Sequence, residues 1–135
     1  GNEDLIIGSK NFTESFILAH LFAILIENYA SLDAGLELGF GGTQLLFEAL
    51  NNKNIQLYPE YTGTGFLTVL KPDSVTRIKY MSDPDALYAY VKEKYLDRYG
   101  LLWLETLGVN NTYAILMKES KAEELDISTL SDLSR

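Results

Sequence analysis

An α/β fold with a largely parallel sheet is predicted for this 135-residue chain by three observations. Short apolar strands alternate with helical segments along most of the sequence, and glycine-bearing turns follow the strands. The composition is that of a globular domain: 47% apolar, 22% charged and only three prolines, enough to bury a core. The length fits one ordinary domain and is small for two complete ones.

The elements follow in order. Leu5-Ile6-Ile7 reads as a short apolar strand. Asn11, with Glu14 three residues on, is a capping signal for a helix through about Tyr29. Leu36 to Phe40 alternates as a second strand, Gly41-Gly42-Thr43 turns into a short helix ending near Leu50, and Ile55 to Tyr58 is a third strand. Thr62 or Thr64 opens another helix that ends before Lys71-Pro72. Asp83-Pro84 is an N-cap with proline at the first helical position, and Gly100 supplies a left-handed stop after Tyr99. Leu101 to Leu104 and Thr112 to Met117 are the last strand candidates. Lys118 to Leu125 is helix-prone, and "ISTLSDLSR" looks like a helix start.

Charge and residue usage exclude several functions. Nineteen acidic residues against eleven basic ones give a net charge of −8 with no basic cluster, which argues against nucleic acid, whose phosphates demand Lys and Arg. The chain has no cysteine, so a disulfide framework, a thiolate metal site and a thiol nucleophile are all ruled out. "FILAHLFAILI", residues 16 to 26, is eleven residues of apolar sequence around His20, where a membrane span needs about 20. It reads as a buried helix, with His20, the only histidine, as a buried and hydrogen-bonded imidazole. The start "GNEDLI" has no signal-peptide pattern, so a leader is expected to have been removed or left out.

In parallel α/β folds ligands bind beyond the carboxyl ends of the strands. Four segments fall there: "GSKNFTE", "GGTQ", "PEYTGTG" and "GVNNTYA", each mixing glycine or asparagine with hydroxyls. Lys10 and the helix starts suit an anion such as a carboxylate, while Tyr61 and Tyr113 bring electron-rich rings to the same rim. That mix fits a cation with an anion nearby. A quaternary ammonium has no N–H to donate, so a host surrounds its methyls with aromatic faces, each contributing about 0.5 to 2 kcal/mol.

"IIGSKNFTESFILAHLFAILIE", "GGTQLLFEALNNKNIQLYPEYTGTGF" and "LGVNNTYAILM" resemble the substrate-binding proteins of ABC importers for osmoprotectants, the glycine betaine, carnitine and choline group. The likeness runs in order from about residue 5 to residue 133. It implies a two-lobed fold of the type II periplasmic-binding-protein kind, with ligand held between the lobes in an aromatic cage. Carried over residue by residue, it gives Tyr61 and Tyr113 cage roles, Thr64 a hydroxyl contact to the ligand carboxylate, and Lys10 the charge that pairs with that carboxylate. Asn110 and Asn111 then fall at the crossing between lobes.

Family members are about twice as long. The resemblance therefore implies residues 1–109 as a first lobe, 110–117 as the crossover strand and 118–135 as the start of an incomplete second lobe. A lobe face so uncovered invites self-association. The expected setting is extracytoplasmic, as a free binding protein or one tethered or fused to a permease, with a membrane permease as partner and no cofactor or metal. A ligand-sensing domain of the same fold is the alternative reading, and an α/β enzyme a third.

The residues weigh against catalysis. No glycine-rich run matches a phosphate loop, and Glu14, Glu48 and Glu60 have no obvious partner in the sequence. Tyr58, ahead of Pro59, reads as structural. Tyr88, Tyr95 and Tyr99, with Tyr90 nearby, read as one packed helix face.

Overall fold

Two parallel strands, β1 (Leu5–Lys10) and β2 (Ala34–Gly41), joined by helix α1 (Thr13–Tyr29), form the sheet. This computed structural model describes residues 3–111 and 115–134, and the chain divides into two compact units, Gly1–Glu105 and Thr106–Arg135. The register runs from Leu5 opposite Ala34 to Gly8 opposite Glu37, then shifts so that Lys10 faces Gly41. Gly8 has to be a glycine: a Cβ there would stand 2.7 Å from both Ile55 and Leu46.

The expected third strand, Ile55 to Tyr58, shrinks to one parallel bridge between Leu57 and Ile7. Gly8 N–H donates to the Leu57 carbonyl at 2.9 Å and Gln56 N–H to the Ile6 carbonyl at 2.8 Å. Beyond that the ladder fails for local reasons. Ile6 N–H is taken by the Gln56 side chain at 2.7 Å, and Pro59 has no N–H to continue the pairing.

Helix α1 departs from expectation at both its cap and its face. Phe12, not Asn11, is the N-cap residue, and no side chain caps it. Only Ser15, Ala19 and Ala23 are buried along the helix, so small residues at a four-residue spacing lie on the strands. Ile17, Leu21, Ile24 and Leu25 are each about half exposed, and His20 is exposed rather than buried. A helix lying on so narrow a sheet has one face to bury, and the rest of its apolar residues stay outside.

A second cluster is aromatic and mostly helical. Helix α2 (Thr43–Asn51), the short α3 (Thr62–Thr64) with the π-helical turns Gly65–Leu70 that continue it, and α5 (Pro84–Tyr99) pack Phe47, Phe66, Leu70, Leu87, Val91 and Tyr95 together. Gly65 allows the close approach. A Cβ on it would lie 2.7 Å from Trp103 and 3.0 Å from the Tyr95 hydroxyl. The π-type bond from Lys71 N–H to the Phe66 carbonyl, 3.1 Å, closes this segment, and Lys71 leaves it with a positive φ of 49°.

Tyr95 and Tyr99 pack edge-on against Phe47, as their helical spacing predicts. Leu101 to Leu104, expected as a strand, pairs with no strand among the described residues. Leu101 and Trp103 turn onto the aromatic cluster while Leu102 and Leu104 face solvent. The two-residue alternation was real, but the surface it matches is a helix pair.

Helix α4 (Ser74–Tyr80) has no apolar periodicity to announce it; Asp73 starts it by accepting from Thr76 N–H at 2.8 Å. Asp83 caps α5 by accepting from the N–H groups of Asp85 and Ala86 at 3.1 and 3.0 Å, and Gly100 ends it at φ 67°. Both signals were legible in the sequence.

In the second unit, helix α6 (Glu119–Glu124) forms where expected and a 3-10 turn, Leu130–Ser134, replaces the anticipated α-helix start. Asp132 organises that turn by accepting from the backbone N–H groups of Ser128 and Thr129 at 3.0 and 2.8 Å. These bonds hold its carboxyl below the usual carboxylate range, the Ser128 N–H contributing most. Of the last strand candidate, residues 115–117 carry no strand and 112–114 lie outside the described residues.

Candidate ligand-binding site

Lys10 ends β1, and the chain turns at once through Asn11 and Phe12 into α1. The turn is sealed from beneath. Lys10 N–H donates to the buried Ser15 hydroxyl at 2.8 Å, and Gly39 N–H donates to the buried Ser9 hydroxyl at 2.9 Å. The segment after Leu57 arrives alongside and places Glu60 and Tyr61 over the same strand end.

Five side chains meet there. Lys10 is only 6% exposed, and its ammonium donates to Glu60 Oε1 at 2.5 Å. Glu60 is equally withdrawn, with its side chain 5% exposed, and the same Oε1 accepts from Tyr61 N–H at 2.9 Å. The Tyr61 hydroxyl donates to Glu14. Its ring stacks on Phe12 with centroids 6.3 Å apart and planes 24° from parallel, and the Lys10 ammonium stands 5.7 Å from the Tyr61 centroid.

That last distance is within the range at which an ammonium is drawn to an aromatic face. The arrangement therefore presents half-buried aromatic rings in cation-binding geometry over two carboxylates and one ammonium. Glu60 also acts on two buried phenols. Burial pushes the Tyr58 and Tyr95 hydroxyls well above the ordinary tyrosine range, and the charge of Glu60 adds to it in both.

Of the four residues singled out from the sequence, three are brought into one neighbourhood. Lys10 and Tyr61 are in contact, and Thr64, half-buried, sits one helical turn beyond Tyr61. Tyr113 lies outside the described residues. Lys10 is not a bare cation awaiting an anion: Glu60 already meets its charge.

Sequence reasoning missed three participants. Glu14 reads as a capping residue but instead receives the Tyr61 hydroxyl, and Glu60 reads as partnerless. Phe12 escaped because it stands in a turn, although an aromatic beside Lys10 was the available signal. Among the described residues no group of His, Cys, Asp and Glu side chains is arranged to hold a metal ion, and no helix is long and apolar enough to cross a membrane.

A parallel α/β unit whose strand ends carry an aromatic, charged rim defines a solute-binding domain. The substrate-binding domain family of ABC-type glycine betaine transport systems matches residues 3–135, and the chain belongs to that family. The family is one of substrate-binding domains.

Among individual relatives, a glycine-betaine-binding protein of Pseudomonas aeruginosa is 35% identical over 134 residues, spanning 98% of this chain and 40% of that protein. An ergothioneine transport permease/ergothioneine binding protein of Helicobacter pylori is 30% identical over 131 residues, 96% of this chain and 22% of that one. The solved structure of apo YehZ from Escherichia coli superposes with a TM-score of 0.68 at 27% identity, covering 97% of this chain and 45% of that chain. This chain thus spans less than half the length of the relatives it matches.

Proposed function

We propose that this chain contributes to capturing a quaternary-ammonium compatible solute of the glycine betaine, carnitine or choline class, for delivery to the permease of an ABC importer. The observation that carries the reading is the Tyr61 ring, stacked on Phe12 and already facing a cation at 5.7 Å, in a chain of this family. Tyr61 and Tyr113 are the proposed cage residues, Thr64 a hydroxyl contact to a ligand carboxylate, and Lys10 the cation for that carboxylate. Residues 1–109 are read as a first lobe, 110–117 as the crossover and 118–135 as the opening of a second lobe; the division of the chain after Glu105 supports this reading.

Capture proceeds by lobe closure. A ligand that touches both lobes favours the closed state in proportion to its extra contacts there. One lobe alone makes part of those contacts, so weak binding is expected of these residues by themselves. The setting is extracytoplasmic, with the domain free, tethered or fused to a permease, and the Helicobacter relative's name joins permease and binding protein in one chain. A sensing role has support in one relative, a chemotactic signal-transduction substrate-binding protein of Halobacterium salinarum, 28% identical over 131 residues. The half-exposed apolar residues of α1 support self-association of the isolated chain.

An amide NMR titration of the chain with glycine betaine and choline, carried to millimolar concentration, tests the reading. Shifts gathered at Lys10, Tyr61 and Thr64 are the expected result. Silence at those positions with either ligand, and again in a chain extended to the relatives' length, would remove the site.

A further inference from the structure

Glu60 is the least expected member of the rim. One of its two carboxylate oxygens, Oε1, accepts both from the Lys10 ammonium at 2.5 Å and from the Tyr61 backbone N–H at 2.9 Å. A single carboxylate therefore holds the cation and the backbone of the residue that bears the ring, while the ring itself is held by Glu14 and Phe12. Both ends of the ion pair are withdrawn from water, Lys10 with its side chain 8% exposed and Glu60 with 5%. Screening by solvent and salt is weak at such a place, and a charge-assisted bond there is correspondingly strong.

The pairing has a consequence for selectivity. Lys10, Glu60 and Glu14 bring one ammonium and two carboxylates to the rim, an arrangement that leaves a negative balance beside the Tyr61 face. A cationic head is favoured by it. A ligand carboxylate, by contrast, must share Lys10 with Glu60 and approach Glu14 as a like charge.

We propose that Glu60 is the positioning residue of this rim, anchoring Lys10 and the Tyr61 backbone, and that by occupying Lys10 it tilts the site toward cationic quaternary ammonium ligands over zwitterionic ones. The proposal rests on the ligand class given above and adds the residue that tunes it. Glu60 need not touch ligand to do so; it acts through Lys10.

The test uses the whole 135-residue chain, as wild type, Glu60→Gln and the double variant Lys10→Gln/Glu60→Gln. Gln keeps the shape and the acceptor while removing the charge. Each is titrated by NMR with choline and with glycine betaine, and the Lys10 side-chain resonances are recorded without ligand. In Glu60→Gln the Lys10 resonances are expected to move and the affinity ratio to shift about tenfold toward betaine, the worth of one charge-assisted hydrogen bond. The double variant, whose neutral pair also guards against misfolding, is expected to lose that gain.

A merely structural Glu60 would lower both affinities together, so a ratio held within about twofold overturns the proposal. A gain that persists in the double variant overturns it as well, because freed Lys10 would not be its source. A wild-type chain that responds to neither ligand counts against the proposed function of these residues. The Lys10 resonances then judge the anchoring alone: unmoved in Glu60→Gln they overturn it, moved they sustain it.

Discussion

The two halves of the first unit bury their apolar residues in opposite styles. Around β1, β2 and α1 the contacts are thin: Ile7 is fully enclosed and Ala19 and Ala23 lie on the strands, but Ile17, Leu21, Ile24 and Leu25 remain about half exposed. Around α2, the π-helical turns and α5 the cluster closes on itself, with Phe66 and Val91 fully buried and Trp103 and Tyr99 packed on the outside. The site lies at the strand end of the thin half. Its precision comes from polar contacts, Ser9, Ser15 and the Lys10–Glu60 pair, rather than from a thick core. Stability and the proposed recognition therefore draw on different parts of the unit.

The strongest way to break the contrast is Phe66→Ala. Removing a fully buried ring from the aromatic cluster is expected to cost about 3 to 5 kcal/mol, read as a fall in the denaturant midpoint. Gly65→Ala should follow at about 1 to 3 kcal/mol, because its new methyl must displace Trp103 or the Tyr95 hydroxyl. An unchanged midpoint would mean that the cluster yields more readily than its packing implies.

Asp83→Ala removes the two capping bonds of α5 and is expected to cost about 1 kcal/mol. Ile24→Gln on the thin half should change monomer stability by less than about 0.5 kcal/mol, while lowering any concentration-dependent association measured by sedimentation. A large loss of stability there would make α1 a core helix after all.

Alkaline titration sharpens the comparison from the other side. Burial raises the Tyr95 phenol in the folded chain, so the folded state holds this proton more tightly than the unfolded one. The contribution is complete below the unfolded phenol value of about 10 and is lost as pH climbs through the folded value. Unfolding monitored between about pH 9 and 12 should show stability falling, with the slope reduced in Tyr95→Phe.

How much of this was legible depends on how local the signal is. The α5 boundaries were written in Asp83-Pro84 and Gly100, since capping is decided within four residues. The capping reading of Asn11 and Glu14 failed for the converse reason: a tyrosine 47 residues away claimed the Glu14 carboxylate. The burial assigned to "FILAHLFAILI" failed because hydrophobicity marks what prefers to be covered, not whether a surface is present to cover it.

The sequence by itself determined the leading strand-helix-strand order, the start and stop of α5, the net negative charge, and the likeness through which Lys10, Tyr61 and Thr64 could be named. Only the tertiary structure decided that Lys10 is held by Glu60, that Phe12 backs Tyr61, and that Leu101 to Leu104 lie on helices instead of in a sheet. Capping and periodicity act between near neighbours and survive as patterns. Ion pairs and ring stacks join residues about 50 positions apart, and their partners are fixed by how the chain packs.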